Sequence, residues 1–165
     1  MKMNKKALAI LSAGHLTTDI NQGALPALLP FFKEALNLSY TMSGAIMLSA
    51  NITSSIIQPA FGYLSDRRPY GWVLPLSPFI ACFGLSVTGF VTDYALLLVC
   101  VVVMGFGVAS YHPEGFKTAH FFTGDKKATG MSFFQVGGNL GVAVGPIWAL
   151  ALVTWFGMKG TITVE

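Results

Sequence analysis

Charge is what this sequence has least of. Ten Lys/Arg and seven Asp/Glu make 10% of 165 residues, against 53% hydrophobic residues, where a soluble domain carries about 25% charge. With a mean hydropathy of +0.63, the chain has too little polar surface to cover a water-soluble core, which excludes that class and leaves an integral membrane protein. Cysteine is equally scarce. Cys82 and Cys100 lie singly inside apolar runs, so neither a disulfide framework nor a zinc ribbon is available, and both read as small buried hydrophobes. There is no HExxH, CxxC, phosphate loop, dinucleotide fingerprint or nucleophile–base pair, which removes support for an enzyme. The net charge of +3 sits in small basic groups beside apolar runs, not in a patch suited to nucleic acid. No 20–50-residue repeat, low-complexity tract or cofactor motif is present.

What the chain does have is long apolar runs. A helix needs about 20 apolar residues to cross the hydrocarbon core, and five segments qualify, at about 7–32, 41–64, 72–91, 94–112 and 128–156. They lack two-residue alternation, and each must satisfy its own backbone in lipid, so helix is expected throughout. The expected fold is all-α, with residues 1–165 forming one partial transmembrane domain of about five spans. Basic residues alternate across the connections. Lys2, Lys5, Lys6, Arg67, Arg68, Lys117, Lys126 and Lys127, eight of the ten, fall on one side, while Lys33 and Lys159 fall on the other. The positive-inside rule makes the first side cytoplasmic, with the N-terminus inside. A cleaved signal peptide over residues 1–15 fits less well. The run Ala7–Leu11 is short, meets His15 and Asp19, and then resumes through Phe32.

Three spans carry a polar stripe. His15, Asp19 and Gln22 share one face of the first; Asn51, Ser55 and Gln58 repeat that spacing in the second; Ser132, Gln135 and Asn139 follow in the fifth. Such stripes either glue neighbouring helices together or line a common aqueous path. Asp19 favours the path, because a carboxylate at that depth must be paired, protonated or wet, as a proton-coupling site requires. His15, one turn away, is its expected partner. Small residues supply packing: Gly137, Gly141 and Gly145 recur every four residues and Pro146 follows them. Pro26, Pro30 and Pro59 are expected to interrupt the first two spans. His112 and Glu114 form an inner-edge cluster at the end of the fourth span, with Pro113 as a helix stop. They offer too few ligands for a metal site, and no metal is expected.

The charged turn Gly62-Tyr63-Leu64-Ser65-Asp66-Arg67-Arg68 resembles the loop signature of the major facilitator superfamily, G-x-L-x-D-R-x-G-R-[KR]. It departs after the first Arg, where Pro69, Tyr70 and Gly71 stand. Gly141, Gly145 and Pro146 resemble the fifth-span signature of its antiporter branch, with Ala149 and Leu150 in place of the terminal Gly pair. Gly14-His15 with Asp19 through Gly23 and Pro26, Tyr111-His112-Pro113-Glu114-Gly115, and Phe134 through Gly141 resemble the fosmidomycin-resistance branch. The likeness runs to about Thr161.

The resemblance implies a multi-pass transporter of the bacterial inner membrane that exchanges protons for a small antibacterial compound. The polar stripes would supply its proton-coupling and transport path through Asp19, His15, Gln22, Asn51, Gln135 and Asn139. Gly62, Asp66, Arg67 and Arg68 would form a cytoplasmic latch, and Gly137, Gly141, Gly145 and Pro146 a close-packed bend at the interface of two halves. The Arg that the superfamily often carries in its fourth span has no counterpart between Leu96 and Tyr111. Superfamily members have about twelve spans in two halves. Five spans therefore lead us to expect most of the N-terminal six-helix half, working with a missing C-terminal half or a partner chain, with lipid, drug and protons as its other partners. The rival reading is a non-transporting membrane scaffold that packs through its Gly-rich face. A membrane enzyme centred on His112 and Glu114 is more remote.

Overall fold

The computed structural model describes residues 2–67 and 71–164, with side-chain surroundings through residue 161. Five helices follow one another: α1 Lys5–Ala35, α2 Tyr40–Arg67, α3 Val73–Val87, α4 Tyr94–Phe122 and α5 Lys127–Phe156. Short 3₁₀ segments at Thr88–Phe90 and Gly157–Val164 complete the described residues, among which there is no strand. The fold is all-α, as expected for a chain whose backbone must bond to itself in lipid. By length and composition, α4 and the α3 and α5 helices with their 3₁₀ extensions are apolar enough to cross a membrane. α1 and α2, at 31 and 28 residues, are long enough. Their polar stripes lower their hydropathy.

Local signals set the helix ends. Asn4 caps α1, its side chain accepting from Ala7 N–H at 3.1 Å, and Asp93 caps α4 by accepting from Leu96 N–H at 2.9 Å. Asn37, at φ 51°, turns the chain between α1 and α2. Lys33 covers the Tyr40 ring across that turn at 4.6 Å.

α1 lies along α5, while α2 and α3 each pack on α4, and α4 also touches α1. The main apolar core joins Leu25, Leu28 and Phe32 of α1 to Leu97, Val101 and Met104 of α4, with Ile46, Leu85 and Leu152 from the other helices. A smaller cluster of Leu8, Leu11, Tyr111, Ala119 and Phe134 fills the opposite end. At that end Asn4 N–H donates to Phe122 C=O at 2.9 Å, and Asp66 lies 3.7 Å from Lys117. The N-terminus, the end of α2 and the end of α4 therefore gather on one side of the bundle.

Two local expectations are corrected. The prolines do not interrupt helices. Pro26, Pro30, Pro59, Pro78, Pro113 and Pro146 all lie inside them. In particular, α4 does not stop at Pro113 but continues to Phe122. A proline removes one intrahelical bond, and neighbouring helices hold the rest of the turn in place. The stretch expected to be a turn from Gly62 is also helical as far as Arg67.

Candidate functional site

Three helices meet around one carboxylate. His15 and Asp19 are one turn apart on α1, so both face the same neighbours. His112 reaches them from α4, and α5 contributes backbone at Phe134 and Gly138. His15 Nε2 lies 3.2 Å from Asp19 Oδ2, and His112 Nε2 lies 3.3 Å from Asp19 Oδ1. His15 and Asp19 are buried, and the His112 side chain is 17% exposed.

The far nitrogen of each ring determines which proton the ring carries. His15 Nδ1 is 3.2 Å from the Phe134 carbonyl, and His112 Nδ1 is 2.7 Å from the Val108 carbonyl. A carbonyl only accepts, so each Nδ1 is the donor, and each neutral ring then turns its Nε2 lone pair toward Asp19. Two lone pairs and a carboxylate cannot hydrogen-bond to one another unless a proton or another cation stands between them. His15 Nε2 and Asp19 Oδ1 accordingly have no aligned hydrogen-bond partner despite lying within ion-pair reach. Uncompensated buried polar atoms of this kind are costly.

Packing holds the cluster still. Phe134 stacks on the His15 ring at 4.4 Å, and Tyr111 Oη donates to the Leu11 carbonyl at 2.6 Å, pinning α4 to α1 just below. Gly138 is required by closeness: a Cβ there would stand 2.5 Å from His15 Nε2 and 2.7 Å from Asp19 Oδ2.

The other expected path residues separate. Gln22 and Asn51 line a narrow cleft between α1, α2 and α4 together with Ser54 and Gly105. Gln135 donates to Asn139 at 3.4 Å within α5. Gln22, Asn51 and Asn139 are exposed on the outside of the bundle, apart from the buried cluster.

The inner-edge pair also divides. His112 joins Asp19, whereas Glu114 is buried against α2, where Ser65 Oγ donates to its Oε2. Lys117 donates to the Ser65 carbonyl and pairs with exposed Asp66. In the expected latch, Gly62 sits against Pro113 and Arg67 covers the Tyr63 ring at 4.3 Å. Arg68 lies outside the described residues. Ser65 was missed in the sequence although it lies beside Asp66, and Lys117 was noted only for its charge.

The glycine ridge packs inside the bundle. A Cβ at Gly137, Gly141 or Gly145 would collide with the α1 carbonyls of Ser12, Leu16 and Ile20 respectively, and Pro146 follows within α5. The ridge therefore meets α1 of the same chain, and the surface that a scaffold role would use is already covered.

A bundle of membrane-length helices with ionisable groups buried among them is the arrangement of a multi-pass membrane protein. The chain matches the Major Facilitator Superfamily profile over residues 11–164 and belongs to that superfamily. It is 32% identical over 155 residues to an uncharacterized MFS-type transporter of Bacillus subtilis, covering 94% of this chain and 38% of the relative. To the fosmidomycin resistance protein of Escherichia coli it is 30% identical over 155 residues, with the same coverage of 94% and 38%. A probable L-galactonate transporter of Escherichia coli is 28% identical over 160 residues, 96% of this chain and 35% of that protein. The chain thus spans little more than a third of the length of these curated relatives.

Proposed function

We propose that this chain forms the N-terminal part of a proton-coupled secondary transporter that exports a small antibacterial compound of the fosmidomycin type across the bacterial inner membrane. The observation that carries this reading is Asp19. Its carboxylate is buried in α1 with an imidazole nitrogen on each side, at 3.2 and 3.3 Å, where only a cation between the partners satisfies them. A proton is the cation such a carrier couples to. Gain or loss of that proton makes or breaks the bridge from α1 to α4 inside the half that rocks against its partner. The relatives named as a fosmidomycin resistance protein and a probable L-galactonate transporter support a small-molecule cargo.

Eight of ten basic residues on one side support a cytoplasmic N-terminus. The Ser65–Glu114 and Asp66–Lys117 contacts then lie at the cytoplasmic end of α2 and α4 and act as the latch. The exposed Gln22, Asn51 and Asn139 face the drug path, which a C-terminal half or partner chain completes.

The test is Asp19→Asn in the complete transporter. We expect pH-gradient-driven efflux to be lost while the amount of protein in the membrane stays the same. Proton-driven exchange that persists at the wild-type rate would overturn the coupling role.

A further inference from the structure

The same lone-pair arrangement fits a second kind of cation. We propose that His15, Asp19 and His112 bind a divalent transition-metal ion of the zinc class, through His15 Nε2, His112 Nε2 and the Asp19 carboxylate. The inference uses the cluster on which the transport reading rests but requires only its geometry, so it stands or falls without any measurement of transport.

Four observations point to it. First, the three residues offer ligand atoms that all lie within 4.8 Å of one another. Zinc–nitrogen and zinc–oxygen bonds of about 2.0–2.2 Å place tetrahedral neighbours about 3.4 Å apart, close to the 3.2 Å from His15 Nε2 to Asp19 Oδ2 and the 3.3 Å from His112 Nε2 to the other carboxylate oxygen, Oδ1. A pair as wide as 4.8 Å must therefore close by about 1.4 Å to reach the tetrahedral spacing, a shift that turning the partly exposed His112 side chain supplies.

Second, a metal-binding histidine donates its other ring N–H to a carbonyl or carboxylate, which fixes its tautomer. Both rings meet that requirement, through Phe134 and Val108. Third, His15 Nε2 and Asp19 Oδ1 are buried without an aligned hydrogen-bond partner, and Gly138 places no side chain of its own against them. Fourth, the partly exposed His112 gives the ion a way in.

Two nitrogens and a carboxylate suit Zn²⁺, Co²⁺ or Ni²⁺, whereas Mg²⁺ and Ca²⁺ prefer oxygen alone. Three protein ligands leave a further position for water. The sequence concealed the site because His112 is 93 positions from Asp19 and its neighbour Glu114 turns to α2.

The full chain, freed of any polyhistidine tag and held in lipid nanodiscs, is titrated with Zn²⁺ by calorimetry and with Co²⁺ by visible absorption. We expect one ion per chain, Co²⁺ bands of a low-coordinate nitrogen–oxygen site, and no comparable binding of Mg²⁺. Removing a ligand exceeds the effect of removing a supporting hydrogen bond, so His112→Ala should weaken Zn²⁺ binding by about 100-fold or more. Gly138→Ala keeps every ligand but places a methyl group against two of them, and should weaken binding by about tenfold or more. Zn²⁺ should also raise the thermal unfolding temperature of the wild-type chain but not that of His112→Ala, because bound metal ties α1 to α4. Circular dichroism identifies variants that have lost their helices, and His112→Ala, changed at a partly exposed side chain, carries the test if Gly138→Ala is one of them. Absence of saturable Zn²⁺ binding, or equal affinity in wild type and folded His112→Ala, would overturn the proposal.

Discussion

His112 and Glu114 show how two neighbouring residues acquire separate tasks. Positions two apart on an α-helix point in nearly opposite directions, so one side chain turns to α1 and the other to α2. In the sequence they look like one cluster only if Pro113 ends the helix. Once α4 continues to Phe122, helical geometry separates them, and His112 completes a buried site with His15 and Asp19. The i, i+4 pairing of His15 with Asp19 was legible because it depends on a single helix. The His112 contact was not, because it depends on how α4 lies against α1. Glu114 in turn depends on Ser65, whose hydroxyl donates to its buried carboxylate. Removing a donor from a buried charged group costs about 1–3 kcal/mol. Ser65→Ala should therefore destabilise the chain by that amount in denaturant titration of the reconstituted protein. An unchanged midpoint would mean that Lys117 and water satisfy Glu114 without it.

At the scale of the element, the four-residue glycine spacing of α5 is matched by an equal spacing on α1. Gly137, Gly141 and Gly145 meet the carbonyls of Ser12, Leu16 and Ile20, so the two backbones touch along more than two turns. The ridge was legible in the sequence as a surface for close approach, whereas its partner was not, since small residues show that a backbone comes near without showing which one. Because the obstacle at Gly141 is backbone and not a flexible side-chain tip, a methyl group there must push the helices apart. Gly141→Ala should cost about 1–3 kcal/mol, as overpacking does elsewhere. Gly44 provides the contrast within α2: nothing lies within 4 Å of a Cβ built there. Gly44→Ala should instead gain about 0.5–1 kcal/mol from helix propensity. Thermal unfolding of both variants checks the pair, and equal shifts in the same direction would refute the assignment of the α1–α5 contact to Gly141.

At the scale of the whole molecule, the bundle has two kinds of outer surface. Phe79 and Phe83 of α3 are 73% and 63% exposed, as residues that meet lipid chains should be. On α1, α2 and α5, by contrast, Gln22, Asn51 and Asn139 are also exposed, near the middle of their helices. Amide side chains gain nothing from facing hydrocarbon, where no water can bond to them. Under the proposed transport function, these positions meet water or another polar protein surface. The stripes were legible from spacing alone, but their division into a buried ionisable cluster and an exposed amide face required the packed bundle. Chemical access distinguishes the two surfaces directly. Cys82 and Cys100 are buried, and the rate before the substitution gives the background. In membranes containing the complete transporter, a cysteine introduced by Asn139→Cys should react with a charged, membrane-impermeant thiol reagent at least about tenfold faster than one introduced by Phe79→Cys, because a thiol reacts as its thiolate and the thiolate forms in water, not in lipid. Similar slow rates at both positions would place the amide face against lipid or a dry protein interface and remove it from the transport path.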